Sequence, residues 1–265
     1  MSARRIFFLM MFLATTILTY GVAQERESFT LRILTYNIYH GETTEGRVDM
    51  ELFASIINDV KPDLVALQEV DKNAQRTGVI DITNELSKRT GIKGYFVKHR
   101  DFQGGEYGNA ILSRFPVRDI DVIEGYKSTP NGITIPFARI RLAKGTEIIF
   151  NCTHLSTRLK DRKAQAKQLM DYQAELNGTP LIITGDLNAE PHHDEIKMLL
   201  EPFAEADTTF ENTFSTRTGL TKKIDYILYP RNDQWEVLES KVICRGDASD
   251  HCAFFAVLRY TVGGE

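Results

Sequence analysis

Apolar positions along the chain fall into two alternating rhythms, short continuous runs and stretches with helical spacing. Leu31 to Tyr36 is a short β-rich apolar run, whereas Leu52, Phe53, Ile56, Ile57 and Val60 mark one face of a helix over 49–60. Pro62 interrupts, Leu64 to Leu67 is apolar and short enough for a buried strand, and Asp81 to Thr90 is helical with Gly91 as its stop. This β-α-β-α order belongs to layered α/β domains. The middle of the chain changes character: Tyr95–Lys98, Asn109–Ser113, Ile133–Leu142 and Glu147–Cys152 are strand-like runs separated by Gly and Pro turns, which suggests antiparallel pairing. A helix over 161–177, with Ala166, Leu169, Met170 and Leu176 on one face, leads past Gly178 and Pro180 into a buried strand at Leu181–Thr184. Ile224–Tyr229, Trp235–Cys244 and Cys252–Tyr260 close the chain as three more strands. The sheet structure is therefore expected to be mixed. No fixed-period repeat or low-complexity linker divides it, so residues 24–265 read as one domain.

The first residues follow another logic. Arg4 and Arg5 precede an apolar run from Ile6 to about Tyr20, and the small residues Gly21-Val22-Ala23 follow. This is the pattern of a secretory signal peptide over residues 1–23, which places the remainder in the periplasm or outside the cell. An uncleaved membrane anchor is the competing reading; the polar Thr15, Thr16 and Thr19 and the small cleavage residues argue against it.

Composition adds limits. The 265 residues carry 42% hydrophobic and 26% charged side chains, with a formal net charge of −4 that becomes −6 once the signal and its two arginines are removed. Such usage is globular. It excludes binding to nucleic acid by bulk positive charge, though a local basic groove is allowed. The three cysteines, Cys152, Cys244 and Cys252, are an odd number without metal-site spacing, so no disulfide framework or soft-metal centre is implied. Buried thiols are expected, and Cys244 and Cys252 are the pair a bridge would use.

Candidate chemistry gathers where the apolar runs end, at Asn37, Gln68-Glu69, Thr153-His154 and Gly185-Asp186-Leu187-Asn188, and just before the last run, at Ser249-Asp250-His251. Side chains at strand ends converge on a shared cleft. A hard divalent cation takes one or two carboxylates plus water and substrate oxygens, a role that Glu69 and Asp250 fit. A carboxylate or imidazole must also remove a proton from the attacking water, and Asp186 and His251 are the candidates.

Seven motifs in order then show what the chain resembles: Thr35-Tyr36-Asn37-Ile38, Leu67-Gln68-Glu69-Val70, Tyr107 to Ser113, Thr153-His154-Leu155, Gly185 to Asn188, Ile224-Asp225-Tyr226 and Ser249-Asp250-His251. Together they resemble the endonuclease/exonuclease/phosphatase superfamily of metal-dependent phosphohydrolases, over nearly all of residues 24–265. The resemblance implies an α/β fold, a four-layer sandwich of two mixed, largely antiparallel sheets with helices outside. It implies Mg²⁺, with Mn²⁺ or Ca²⁺ as substitutes, held principally by Glu69 with Asn37 and Asp250 beside it. Asp186 would orient or deprotonate the nucleophilic water, and Asn188 would hold that water or a phosphate oxygen. His154 would hydrogen-bond the phosphate from the other side. Asp225 would pair with His251, which serves as base or as a cationic phosphate stabiliser. His40-Gly41 stands where some members carry a second acidic ligand, which leaves open whether one metal ion or two are used.

Substrate choice would rest with the loops at 99–106, 128–132 and 211–220, and Arg76, Tyr107, Asn109 and Phe214 are the candidate substrate contacts, Phe102 being a further wall. Arg76 and Asp81 read equally as a structural pair. Arg158, Arg162 and Lys163 read as a solvated helix face, with contact to a polyanionic substrate as the alternative, and Pro191 to Glu195 as a helix start rather than a metal patch. The expectation is a monomeric, secreted or periplasmic phosphoesterase acting on a phosphodiester. The alternatives are a nuclease using Arg100, Arg217, Lys222 and Lys223 as a phosphate track, a sphingomyelinase-like lipid-headgroup phosphodiesterase, and an inactive binding module.

Overall fold

The computed structural model describes residues 26–129, 132–216 and 219–263. The proposed signal over 1–23 and Arg217 lie outside them. Among the described residues no helix is long and apolar enough to cross a membrane.

Fourteen strands and four helices follow in chain order: β1 (Ser28–Asn37), α1 (Met50–Val60), β2 (Leu64–Lys72), α2 (Ile82–Thr90), β3 (Lys93–Phe102), β4 (Gly105–Ser113), β5 (Val117–Glu124), β6 (Thr134–Arg141), β7 (Glu147–His154), α3 (Leu159–Glu175), β8 (Leu181–Asp186), α4 (Asp194–Leu199), β9 (Phe203–Glu205), β10 (Phe214–Thr216), β11 (Gly219–Lys222), β12 (Asp225–Pro230), β13 (Trp235–Ile243) and β14 (Ala253–Thr261). One six-stranded sheet runs β13-β14-β1-β2-β4-β3, the other β5-β6-β7-β8-β12-β9, and β10-β11 is a separate pair. Among the described residues only β1–β2 and β7–β8 are parallel; every other pairing is antiparallel.

The two sheets face each other across an apolar layer that includes Ile33, Ala66, Ile111, Ile140, Phe150 and Phe254. Alternate strand residues point the other way, so Leu34, Val65 and Phe255 pack under α1 and α2, and Phe137, Ile149 and Ile183 pack under α3 and α4. The result is the four-layer α/β sandwich. Each fully buried Leu, Ile or Phe contributes about 1.5–3 kcal/mol, which is why most inward positions are apolar and the few polar ones, such as Thr35 and Gln68, bond each other.

Asp49 and Asp81 start the first two helices by accepting from Leu52 N and Asn84 N, both at 3.0 Å. That task occupies Asp81, so Arg76 does not pair with it. Arg76 instead forms a two-pronged bond to the buried Asp71 at 2.7 and 2.9 Å. Arg162 departs from the expected solvated face as well: it is buried, with Nε 2.6 Å from Glu195 Oε1, and it ties α3 to α4. Lys163 does reach Asp194 at the surface, and α4 begins there as expected.

The cysteines correct a second expectation. Cys244 and Cys252 are disulfide-bonded, and Cys152 is a buried thiol. The bridge closes β13 onto the segment entering β14, whose Cα atoms lie only 4.5 Å apart.

Candidate active site

Both parallel pairs end at the same rim of the sandwich, and the candidate residues stand there. In β1–β2, Asn37 is opposite Gln68; in β7–β8, His154 is opposite Asp186; β12 then brings Asp225 opposite Asp186 from the other side. Two local backbone features aim the carboxylates. Gly185 has φ +138°, and a Cβ there would sit 1.8 Å from Thr153 O, so only glycine lets β8 lie close enough to β7 for Asp186 to meet His154. In β2 the ladder to β4 slips between Leu67 and Val70, and Glu69 takes φ +58°. That bulge separates neighbours: Gln68 turns inward to bond Thr35 and Cys152, while Glu69 turns into the cleft. A left-handed residue of this kind costs about 1–3 kcal/mol and persists where the site needs it.

Asp186 is the hub. Its Oδ2 accepts from Asn37 Nδ2 at 3.2 Å and lies 3.4 Å from His154 Nε2 and 3.7 Å from His251 Nε2, and its Oδ1 accepts from Asn188 N at 2.8 Å. Burial pushes its carboxyl upward, against the pull of His154 and His251. His251 Nδ1 meets Asp225 Oδ2 at 2.9 Å, which fixes Nδ1–H as the donor. Burial disfavours the imidazolium, yet Asp225, Asp186 and Asp250 outweigh it and push the pKa up to about 10. Phe214 sets its ring edge-on at 4.9 Å from His251.

These groups open onto a cavity of about 400 Å³ lined by Glu69, His154, Asp186, Asn188, Phe214, Asp250 and His251. Glu69 and Asp250 offer it hard oxygen donors, and Asp250 is pushed above the usual carboxylate range by burial and then by the Glu69 charge. That pair fits a divalent cation of the Mg²⁺ type. Asn37 is tied into this group by hydrogen bonds: its Oδ1 accepts from Tyr39 N at 3.2 Å, and its Nδ2 donates to Glu69 as well as Asp186. Asp186, Asp225 and His251 also stand close enough to surround an ion; Asp225 Oδ2 accepts from His251 Nδ1, and Asp225 Oδ1 is buried without a partner among the described residues.

The expected substrate contacts divide. Phe214 lines the cleft, and Tyr107 lines a second cavity adjoining it. Asn109 is fully buried and donates to Cys152 O at 3.2 Å, bracing β4 against β7. Arg76 is held by Asp71 and stacked on Phe102 at 4.6 Å. The 99–106 stretch, expected as a loop, is the β3–β4 hairpin. Of the proposed phosphate track, Lys222 reaches the cleft, but Lys223 is buried between Glu205 and Asp207 at 2.6 and 2.7 Å. Ser249 is a functional residue that sequence reasoning does not single out: its Oγ donates to Asn37 O at 2.7 Å and accepts from His251 N at 3.1 Å, locking the first and last motifs together. Thr157 is a further lining residue whose sequence context gave no signal.

Comparison with known proteins gives the family and the fold. The sequence matches the Endonuclease/Exonuclease/phosphatase family over residues 34–251. It is 28% identical over 180 residues to YbhP, an uncharacterised protein of Escherichia coli (strain K12), covering 62% of this chain and 69% of that one. The structure is similar to an endonuclease/exonuclease/phosphatase from Beutenbergia cavernae DSM 12333, with TM-score 0.74, 20% identity, and coverage of 88% of this chain and 72% of that one. It is also similar to the human nocturnin catalytic domain with bound sulfate anion, with TM-score 0.70, 20% identity, and coverage of 89% and 97%. At these identities the two structures speak to the fold alone.

Proposed function

The chain belongs to the Endonuclease/Exonuclease/phosphatase family, and on that premise we propose that it is a secreted or periplasmic, divalent-metal-dependent phosphodiesterase. The observation that carries this reading is the setting of Asp186, a buried carboxylate with His154, His251 and Asn37 around one oxygen, at the edge of the cavity that Glu69 and Asp250 also line.

Glu69 and Asp250 would hold the cation, which supplies polarisation of a phosphoryl oxygen and stabilisation of charge on the leaving oxygen. The remaining work belongs to side chains. Asp186, made more basic by burial, orients a water and accepts its proton at Oδ2 as the water attacks phosphorus in line with the leaving oxygen. His154 and Asn188 donate toward non-bridging oxygens. His251, held cationic by Asp225, offers Nε2–H to the charge that grows on the phosphoryl group. Phe214 keeps bulk water from that imidazole.

The test is turnover by purified residues 24–265, with Mg²⁺, Mn²⁺ or Ca²⁺, of an artificial phosphodiester, a phosphomonoester, plasmid DNA, RNA and sphingomyelin. Hydrolysis of a diester that is lost in Glu69→Ala is the expected result. Equal inactivity of wild type and variant on all five substrates would overturn the reading.

A further inference from the structure

Beside the cleft, sharing His154 and Thr157 with it, lies a second cavity of about 270 Å³. Three cations reach it from three separate segments: Arg100 on β3, Lys127 after β5, and Arg158 at the start of α3. Nearby cations are neutralised. Arg76, Lys98 and Arg162 each have a carboxylate at 2.6–2.7 Å. Arg100, Lys127 and Arg158 form no ion pair among the described residues. The guanidinium of Arg100 is held over the Tyr107 ring, 4.6 Å from its centroid, while Lys127 and Arg158 are exposed. The lining holds one carboxylate, Asp161, whose Oδ2 already accepts from Ser128 Oγ at 3.0 Å. Three cations against one acid, within an acidic protein and around a concave space, favour an anion there.

We propose that the substrate carries a second phosphate next to the scissile one, on the His154 side, and that Arg100, Lys127 and Arg158 bind it. This rests on the phosphoesterase reading and narrows it to substrates with a flanking phosphate. The cavity accommodates a phosphoryl group with part of the sugar or polyol that links it to the reacting centre. An Arg contributes a planar donor fork and a Lys a point charge, so the trio reads charge and position rather than base identity. Neutral or cationic headgroups gain nothing from it. A flanking phosphate has two sources, a nucleic-acid backbone or a phosphorylated polyol headgroup, and the test separates them.

Equilibrium binding is measured by calorimetry in Mg²⁺ on the Asp186→Asn protein. One pair of ligands is thymidylyl-thymidine with and without a terminal 3′- or 5′-phosphate; the other is glycerophosphoinositol with and without a 4-phosphate. The added phosphate is expected to tighten binding at least tenfold in one pair, which identifies the source. Adding Lys127→Gln and Arg158→Gln should bring that ratio to within about twofold of one, while Lys160→Gln, an exposed cation outside the cavity, should leave it intact. A ratio near one in the parent protein for both pairs overturns the proposal, as does a ratio that survives the double substitution. Wild-type turnover of the same ligands is measured in parallel. A cation-dependent ratio without any turnover would remove the phosphodiesterase reading and leave the anion site standing; turnover without a ratio would do the reverse.

Discussion

Asp225 stands on one sheet and His251 on the segment entering the other, yet Asp225 Oδ2 accepts from His251 Nδ1 at 2.9 Å, with both residues buried. The dyad therefore joins the two halves of the sandwich at the reactive rim. If the pair acts as a unit, Asp225→Asn and His251→Asn should each lower kcat by about 10²–10⁴ on a simple diester, and the double variant should lose little more than either alone. Losses that multiply would show two independent roles. Near-ultraviolet circular dichroism checks that the packing survives, since a lone buried charge costs about 3–5 kcal/mol.

The same pair sets a pH dependence of stability. His251 is raised from 6.5 to about 10 in the fold, despite burial, by Asp225 and then by Asp186 and Asp250. A raised pKa means that its contribution is full below about 6.5 and is lost as the pH climbs through 10. Urea unfolding between pH 6 and 10.5 should show wild type losing stability across that window. His251→Asn should show a shallower decline, so that the two curves converge at the alkaline end. Parallel curves would mean that His251 is not charged in the folded protein.

Glu69→Gln replaces one of the two carboxylate donors with a neutral amide oxygen while keeping the shape of the bulge. Loss of about 3 kcal/mol of transition-state stabilisation corresponds to roughly a 10²-fold fall in kcat/KM. Chelation with EDTA should abolish wild-type turnover, and Mg²⁺ should restore it. The variant should require a higher Mg²⁺ concentration for half-maximal rate. Full EDTA-resistant activity would rule out the assignment of Glu69 and Asp250.

Much of this was legible because motif and element coincide. Apolar runs named the strands, and the polar residues that follow them, Asn37, Glu69, His154, Asp186 and His251, do meet at one rim. Three things were hidden for physical reasons. Strand β5 was missed because four of its eight residues, Arg118, Asp119, Asp121 and Glu124, are charged, as suits an exposed edge. Arg162 looked like surface because its partner, Glu195, comes from another helix. Arg100 and Arg158 are legible singly as phosphate contacts, but their grouping with Lys127 is not, because only the folding of β3, the β5–β6 connection and the β7–α3 turn brings the three to one cavity.

The last expectation concerns the bridge. Cys244 and Cys252 are eight residues apart, and the segment between them holds Ser249, Asp250 and His251. One end is anchored by β13, the other by β14, and Ser249 Oγ fastens the middle to Asn37 O. Reduction leaves these noncovalent anchors but removes the covalent tie between the segment's two ends, so the sheets should persist while Asp250 and His251 lose registration with Glu69 and Asp186. A misplacement of about 1 Å at reacting groups can cost as much as 10²-fold. The Cys244→Ser/Cys252→Ser protein should therefore keep its far-ultraviolet spectrum and lose about tenfold or more in kcat, with stability down by about 2–3 kcal/mol from the opened loop. Dithiothreitol should reproduce the loss in wild type and add nothing in the variant. An unchanged kcat in the variant would show that hydrogen bonding by Ser249 alone holds the segment in place.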